Sequence, residues 1–257
     1  MPHHPVTGSD LRILVLGGTS DARALAGLLD GRASVVSSLA GRVKAPVLPP
    51  GEVRIGGFGG VPGLVAYLRS GVDVLVDATH PFAAGMSAHA CAAATETGVP
   101  LVVLRRPGWT EGPGDDWRRV PSLRAAAGLL PSVGRRVFLT TGRQDVATFA
   151  DLDLWFLLRS VDPPEPPVPQ RLVSILDRGP FTVEGELAVM REHAVDVVVT
   201  KDSGGSLTAA KLTAARQRGL PVIVVDRPPL PPGALVVETP GECVAVLEHR
   251  YALTEPH

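Results

Sequence analysis

Short runs of aliphatic and β-branched residues alternate with amphipathic or alanine-rich stretches along almost the whole chain. The runs at 11–16, 33–37, 53–55, 72–76 and 101–104 are apolar at most positions and too short for a helical core. That is how strands buried on both faces of a parallel sheet read. Helical periodicity fits between them at 21–29, 62–69 and 82–97, the last rich in alanine and suited to lying close to a sheet. A second series starts after a short helix at 122–130. It predicts strands at 136–139, 154–158, 172–176, 196–199 and 222–225, and a further short one at 235–237. Helices are expected at 144–150, 182–192, 207–218 and 241–251.

Strands alternating with helices predict an α/β chain of two Rossmann-like domains, each a doubly wound, mainly parallel sheet, facing a central cleft. The expected boundaries are a disordered tail at 1–10, a nucleotide-binding domain at 11–107, a linker at 108–120 and a second domain at 121–257. The linker is rich in Gly, Pro, Trp and charge, which marks a break in regular structure. The proline-rich stretch 163–169 cannot run through the middle of a sheet. It reads as a loop at the surface or beside a ligand.

Composition narrows the function. Lys and Arg number 25 against 26 Asp and Glu, so bulk positive charge for nucleic-acid binding is absent. An anionic ligand would have to be held by locally placed basic side chains. Cys91 and Cys243 lack metal-ligand spacing and read as free thiols in a reducing compartment. His3 and His4 sit in the polar tail, and no metal site is expected. No apolar run reaches the ~18 residues of a membrane span, and no signal peptide is visible at the start. A cytoplasmic protein without a membrane or nucleic-acid partner is therefore expected.

Candidate chemistry gathers at the carboxyl ends of the predicted strands. The first runs into Gly17, Gly18, Thr19 and Ser20. Glycines at such a turn let backbone N–H groups approach a phosphate at a helix start. The match to G-x-G-x-x-G is imperfect, and a tight turn with Thr19 or Ser20 capping the helix is the alternative. The second strand ends in Ser37, Ser38 and then Arg42, where an NAD site would carry a carboxylate. Hydroxyls and an arginine suit a 2′-phosphate, which favours NADPH, although Arg42 also reads as a solvated loop residue. After the fourth strand, Thr79 and His80 are placed to meet a cofactor. His80 reads equally as a proton carrier or as a backbone partner ahead of Pro81.

In the second half, Thr141, Gly142 and Arg143 form one polar turn, and Lys201, Asp202, Ser203 and Gly204 form another. Both suit anion binding at a helix start. Lys201 can clamp a carboxylate or donate a proton, or it is simply an exposed lysine before a capped helix. Asp145 is a weaker candidate for the proton. Glu184 and Glu186 read as a solvated first turn complementing a helix dipole.

Taken in order, ILVLGGTSDARALA at 13–26, SLAGR at 38–42, GGFGG at 56–60, DATHPFA at 77–83, RPGW at 106–109, TTG at 140–142, GPF at 179–181, TKDSGG at 200–205 and Arg227-Pro228 resemble the precorrin-6A reductase family. The resemblance implies two Rossmann-like domains holding NADPH and a modified tetrapyrrole. It also implies reduction of one macrocycle double bond in corrin (vitamin B12) synthesis, with or without cobalt in the substrate. Such a reaction needs a hydride at one carbon and a proton at its neighbour. On this basis Lys201 and His80 are the candidate catalytic residues. Gly17, Gly18, Thr19, Ser20, Ser38, Arg42 and Thr79 are the cofactor candidates. Thr141, Gly142, Arg143, Lys201, Asp202, Ser203 and Gly204 are the substrate candidates. The competing readings are a reductase of the same fold with another substrate and a non-enzymatic NADP(H)-sensing regulatory protein.

Overall fold

The computed structural model describes residues 11–41, 46–251 and 253. The chain divides into two units, 1–106 with 228–257, and 107–227. Each is built on a six-stranded sheet whose strands all run parallel.

In the first unit, β1 (Arg12–Leu16), β2 (Ser34–Leu39), β3 (Glu52–Ile55), β4 (Val74–Asp77) and β5 (Leu101–Leu104) are joined by β12 (Leu235–Val237). The order β12-β5-β4-β1-β2-β3 reverses direction between β1 and β4, the switch point of a doubly wound sheet. Helices α1 (Ser20–Leu29) and α7 (Pro240–Tyr251) cover one face over Ile13, Val15, Val74, Val76 and Val102. Helices α2 (Val61–Arg69) and α3 (Ala84–Thr97) cover the other over Leu14, Leu16, Val36 and Leu75. Ala90, Ala93 and Ala94 of α3 are buried against that sheet, which is what its small side chains permit.

The second unit contains β6 (Trp117–Val120), α4 (Leu123–Val133), β7 (Arg136–Leu139), a 3₁₀ segment at Arg143–Phe149, β8 (Trp155–Ser160), β9 (Arg171–Leu176), α5 (Val183–Glu192), β10 (Val197–Lys201), α6 (Ala210–Gln217) and β11 (Val222–Val225). Its order, β6-β11-β10-β7-β8-β9, places the switch point between β7 and β10. Phe138, Leu157, Met190, Val198 and Leu212 centre the core beneath α5 and α6.

Two expected boundaries are corrected. The stretch beyond Arg227 does not stay with the second unit: β12 pairs with β5, and Cys243, Val244 and Leu247 of α7 bury against the α1 face. Without them β5 would be a bare edge and α1 would lose the apolar cover that α7 gives it. Burial there pushes the Cys243 thiol up to about 12, so it is a core residue without reactivity. The expected linker 108–120 contains β6, which pairs with β11 from Trp117↔Val222 to Val225↔Val120. The first sheet thus takes its sixth strand from beyond the whole second unit, whereas the six strands of the second come from one continuous run of chain. A smaller difference is the 144–150 helix, which is 3₁₀.

Candidate functional site

In the first unit the turn after β1 is fixed from three sides. Gly17 N–H donates to Ser38 O (2.9 Å), which aligns the turn with the end of β2. Gly18 sits at φ +106, a conformation glycine adopts without strain. Thr19 is buried; its Oγ1 accepts from Ala22 N (3.0 Å) and donates to Ala78 O (2.9 Å). The hydroxyl therefore caps α1 and ties β1 to β4 across the switch point. Ser20 opens α1, and Asp21 beside it is neutralised by Arg106 (2.7 Å).

Alongside this turn lies a small pocket lined by Gly17, Gly18, Ala22, Arg23, Ser37, Leu39, Val47 and Pro49. The Ser37 hydroxyl in its wall is buried and has no hydrogen-bond partner among the described residues. A buried polar atom left unpaired costs about 1–3 kcal/mol, so an orphan of this kind marks a place where a ligand supplies the partner. With no carboxylate among residues 37–41, these residues fit a phosphorylated dinucleotide. Ser38 accepts from Arg54 Nη1 (2.9 Å). Arg42 lies outside the described residues.

Beyond β4, the buried Asp77 accepts from Thr79 N (3.1 Å), Thr79 Oγ1 (2.7 Å) and Ser87 Oγ (2.6 Å). Thr79 is thus held at the strand end with its hydroxyl proton committed, leaving its lone pairs to accept. His80 Nδ1 accepts from Phe82 N (3.2 Å), so a neutral ring carries its proton on Nε2. The backbone role expected for His80 is present.

In the second unit the turns after β7 and β10 meet. Lys201, the last residue of β10, is ion-paired with Asp145 in the 3₁₀ segment that follows β7. This pair bridges the second switch point, and the sequence had ranked Asp145 only as a minor candidate. Thr141 is buried, its Oγ1 without a partner among the described residues, and Gly142 turns at φ +90. Arg143 pairs with the exposed Glu165 (3.1 Å). Both line an open pocket of about 300 Å³ with Gln144, Val146, Ala147 and Pro166, so the proline-rich stretch forms one of its walls.

Asp202 does something other than face a ligand. Its buried carboxylate accepts from Trp109 N (2.9 Å) and Arg119 Nη2 (2.9 Å), and Arg227 Nε lies 3.8 Å away. Arg227 also donates to Asp202 O (2.7 Å) and Pro107 O (3.0 Å). A Cβ on Gly204 would stand 2.0 Å from Pro107 O, so this buried position admits only glycine. Ser203 folds back on Lys201 O (2.7 Å from its N–H). Asp202 and Gly204 therefore fasten the loop that follows Lys201, and the partners that the structure gives the Asp202 carboxylate are protein groups.

A third cluster was hidden from sequence. Glu186 is fully buried and paired with Arg159 (2.7 Å), which overturns the solvated-turn reading. Lys211 is buried nearby, donates to Thr208 O (2.5 Å) and lies 4.7 Å from the Trp109 ring centre. Burial first, and Arg159 second, push its amine down to about 7, against the pull of Glu186. The partners sit on β8, α5 and α6, and no local spacing announces such a triad.

The chain is similar to known proteins over most of its length. Residues 12–248 match the family model described as Precorrin-6x reductase CbiJ/CobK. A Rhodococcus erythropolis protein named precorrin-6A reductase is 55% identical over 238 residues, covering 91% of this chain and 96% of that one. A solved structure titled CobK precorrin-6A reductase superposes with a TM-score of 0.88 at 47% identity, covering 93% of this chain and 96% of that chain. A Priestia megaterium protein named cobalt-precorrin-6A reductase is 32% identical over 244 residues, covering 87% and 93%.

Proposed function

The chain belongs to the precorrin-6x reductase family CbiJ/CobK, oxidoreductases of cobalamin biosynthesis, and from that premise we propose that it reduces precorrin-6A with NADPH. The observation that carries this reading is similarity over nearly the whole chain to proteins named for that activity. The metal-free substrate is favoured over its cobalt form. The relative named for the former is 55% identical, and that named for the latter 32%.

The first unit is assigned the cofactor. Gly17, Gly18 and the N–H groups opening α1 at Ser20 suit the pyrophosphate, and Ser37 supplies a buried hydroxyl to the adenosine side. Ser38 and Arg42 are assigned to the 2′-phosphate. Thr19 acts indirectly, by holding the turn against Ala78. Thr79 and His80 flank the nicotinamide side of the switch point, where Thr79 accepts a hydrogen bond and His80 is a reserve proton carrier. Bound NADPH supplies the hydride; the protein supplies placement and charge.

The second unit is assigned the tetrapyrrole. Arg143, with Thr141 and Gly142, offers a cation, an unpaired hydroxyl and a positive-φ turn to a substrate carboxylate. Lys201, oriented by Asp145, is assigned the proton delivered beside the carbon that receives hydride. Ser203 and Gly204 shape the loop that holds it. The test is anaerobic incubation with precorrin-6A and NADPH, followed by absorbance. Loss of the NADPH band in step with a shift to the reduced macrocycle is expected. NADPH binding without any turnover of the tetrapyrrole would return the reading to a sensor.

A further inference from the structure

The parallel register lays Leu16, Ser38 and Arg54 side by side at the ends of β1, β2 and β3. Arg54 is half-buried and held rigidly. Its Nη1 donates to Ser38 Oγ (2.9 Å) and Gly56 O (3.0 Å), and its Nη2 donates to Gly57 O (3.2 Å). The guanidinium lies 3.8 Å from the Phe58 ring centre and 5.5 Å from that of Tyr67. All of these neighbours are neutral. Among the described residues no carboxylate forms an ion pair with Arg54, whereas Arg32, Arg106 and Arg159 each have one. A fixed cation with neutral acceptors on one side and no counter-ion is prepared for an anion that arrives from outside. The contacts use both Nη1 protons and one of Nη2, leaving the Nε–H and a second Nη2–H to donate.

Position says which anion. In a doubly wound sheet the end of the second strand meets the adenosine ribose at its 2′ position. Here that residue is Ser38, whose hydroxyl already accepts from Arg54. Having accepted, it keeps its own proton to give. We propose that Arg54, fixed by Ser38 and Phe58, reads the 2′-phosphate and sets the preference for NADPH over NADH. The inference rests on the cofactor reading above and adds a residue on β3 that the fingerprint at the end of β2 does not contain.

The test compares binding of 2′,5′-ADP with that of ADP to the purified chain by titration calorimetry, so no turnover is needed. Wild type should bind 2′,5′-ADP more tightly. Arg54→Ala should weaken that ligand by about tenfold or more, as for a lost charge-assisted contact, and leave ADP within about twofold. Arg54→Lys, which keeps charge but loses the fork, should fall between. Arg54→Gln keeps a polar, though shorter, side chain without charge and should lose the preference; it carries the test if the alanine variant melts early. A preference that survives in both the Ala and Gln variants overturns the proposal and leaves Arg42 to hold the phosphate. Equal losses for both ligands also overturn it, because Arg54 would then only brace the 56–60 loop. Wild type that does not distinguish the ligands would sink the NADPH reading itself, and this inference with it.

Discussion

The two sheets repeat one strand order, with the reversal between β1 and β4 in the first and between β7 and β10 in the second. What crosses that reversal differs. In the first unit it is a neutral hydrogen bond, Thr19 to Ala78 O, beside glycine backbone and an orphan serine. In the second it is an ion pair, Lys201 with Asp145, flanked by Arg143 and by the Asp202 carboxylate with its two arginines. Doubly wound sheets bind ligands at this place whatever their chemistry, so the fold fixes where and the side chains fix what. A backbone-lined neutral turn suits a pyrophosphate, which brings its own charge to a helix start. A turn carrying ion-paired cations suits a substrate with several carboxylates and a proton to collect.

The largest effects should separate the two ends. Gly18→Val forces a branched side chain into φ +106 and should abolish NADPH binding. The same variant should leave the second unit folded. Lys201→Ala should do the converse: NADPH affinity stays within about twofold, while kcat falls by about 10²–10⁴ as for a lost general acid. A rise in KM alone would make Lys201 a clamp for a carboxylate. Wild-type activity in that variant would remove it from the reaction and put His80 forward.

Next in size is Asp202. If its role is to fasten the loop, Asp202→Ala leaves the Trp109 N–H without its acceptor and takes from Arg119 one of its two carboxylates, Asp226 being the other, and should cost about 3 kcal/mol in chemical denaturation. Because Arg119 is partly exposed, the lower end of the range for buried pairs applies. Unchanged stability with a raised KM would instead restore the substrate role that the sequence suggested.

That reversal shows where reading the sequence works. Strands β5, β7, β11 and β12 fall at the residues expected, because each is an apolar run, buried on both faces in β5, β7 and β11. Strand β6 escaped because its WRRV puts two arginines in an edge position where only one neighbour is needed. The return of β12 and α7 to the first sheet escaped because chain order says nothing of which edge a late strand covers. The glycine turn and Lys201 were legible as residue types at strand ends. Glu186 was misread, and the ties of Asp202 were not foreseen, because their partners lie far off in sequence, Arg159 and Arg119 among them. Ser37 was passed over for Ser38; both are buried, and parity, which sequence alone does not set, decides which hydroxyl lines the pocket and which meets Arg54.

A smaller effect concerns the charged unit's interior. Lys211, Arg159 and Glu186 together carry a surplus positive charge, and Lys211 is the member pushed down, to about 7. An unfolded lysine keeps its proton to about 10.5, so between about pH 7 and 10.5 the unfolded chain binds more protons than the folded one. This group therefore makes stability rise with pH across that window, and its burial is most costly below it. Lys211→Met should flatten that rise and raise stability by about 1 kcal/mol at pH 6, with less gain at pH 9. Denaturation midpoints at the two pH values check it. A steeper loss at pH 6 in the variant would mean that the charge supports the 203–209 loop through Thr208 more than its burial costs.

The finest test returns to the neutral unit, at Ser37. Its hydroxyl is buried and unpaired, so removing it from the ligand-free chain gives up no hydrogen bond and relieves a desolvated polar group. Ser37→Ala should therefore leave thermal stability unchanged or slightly higher without cofactor. If the pocket beside Gly17 and Gly18 holds the adenosine side of the dinucleotide, the same change should weaken NADPH and NADH alike by about 0.5–1.5 kcal/mol, a few-fold in Kd. Equal loss for both cofactors is what separates Ser37 from the 2′-phosphate contacts, where the two must differ. A variant that binds both cofactors as wild type does would leave the orphan hydroxyl without a ligand and would move the nucleotide off this pocket. A variant that is destabilised without cofactor would show that Ser37 has a partner in the ligand-free protein, and the contrast between a waiting neutral turn and a self-paired charged one would lose its first half.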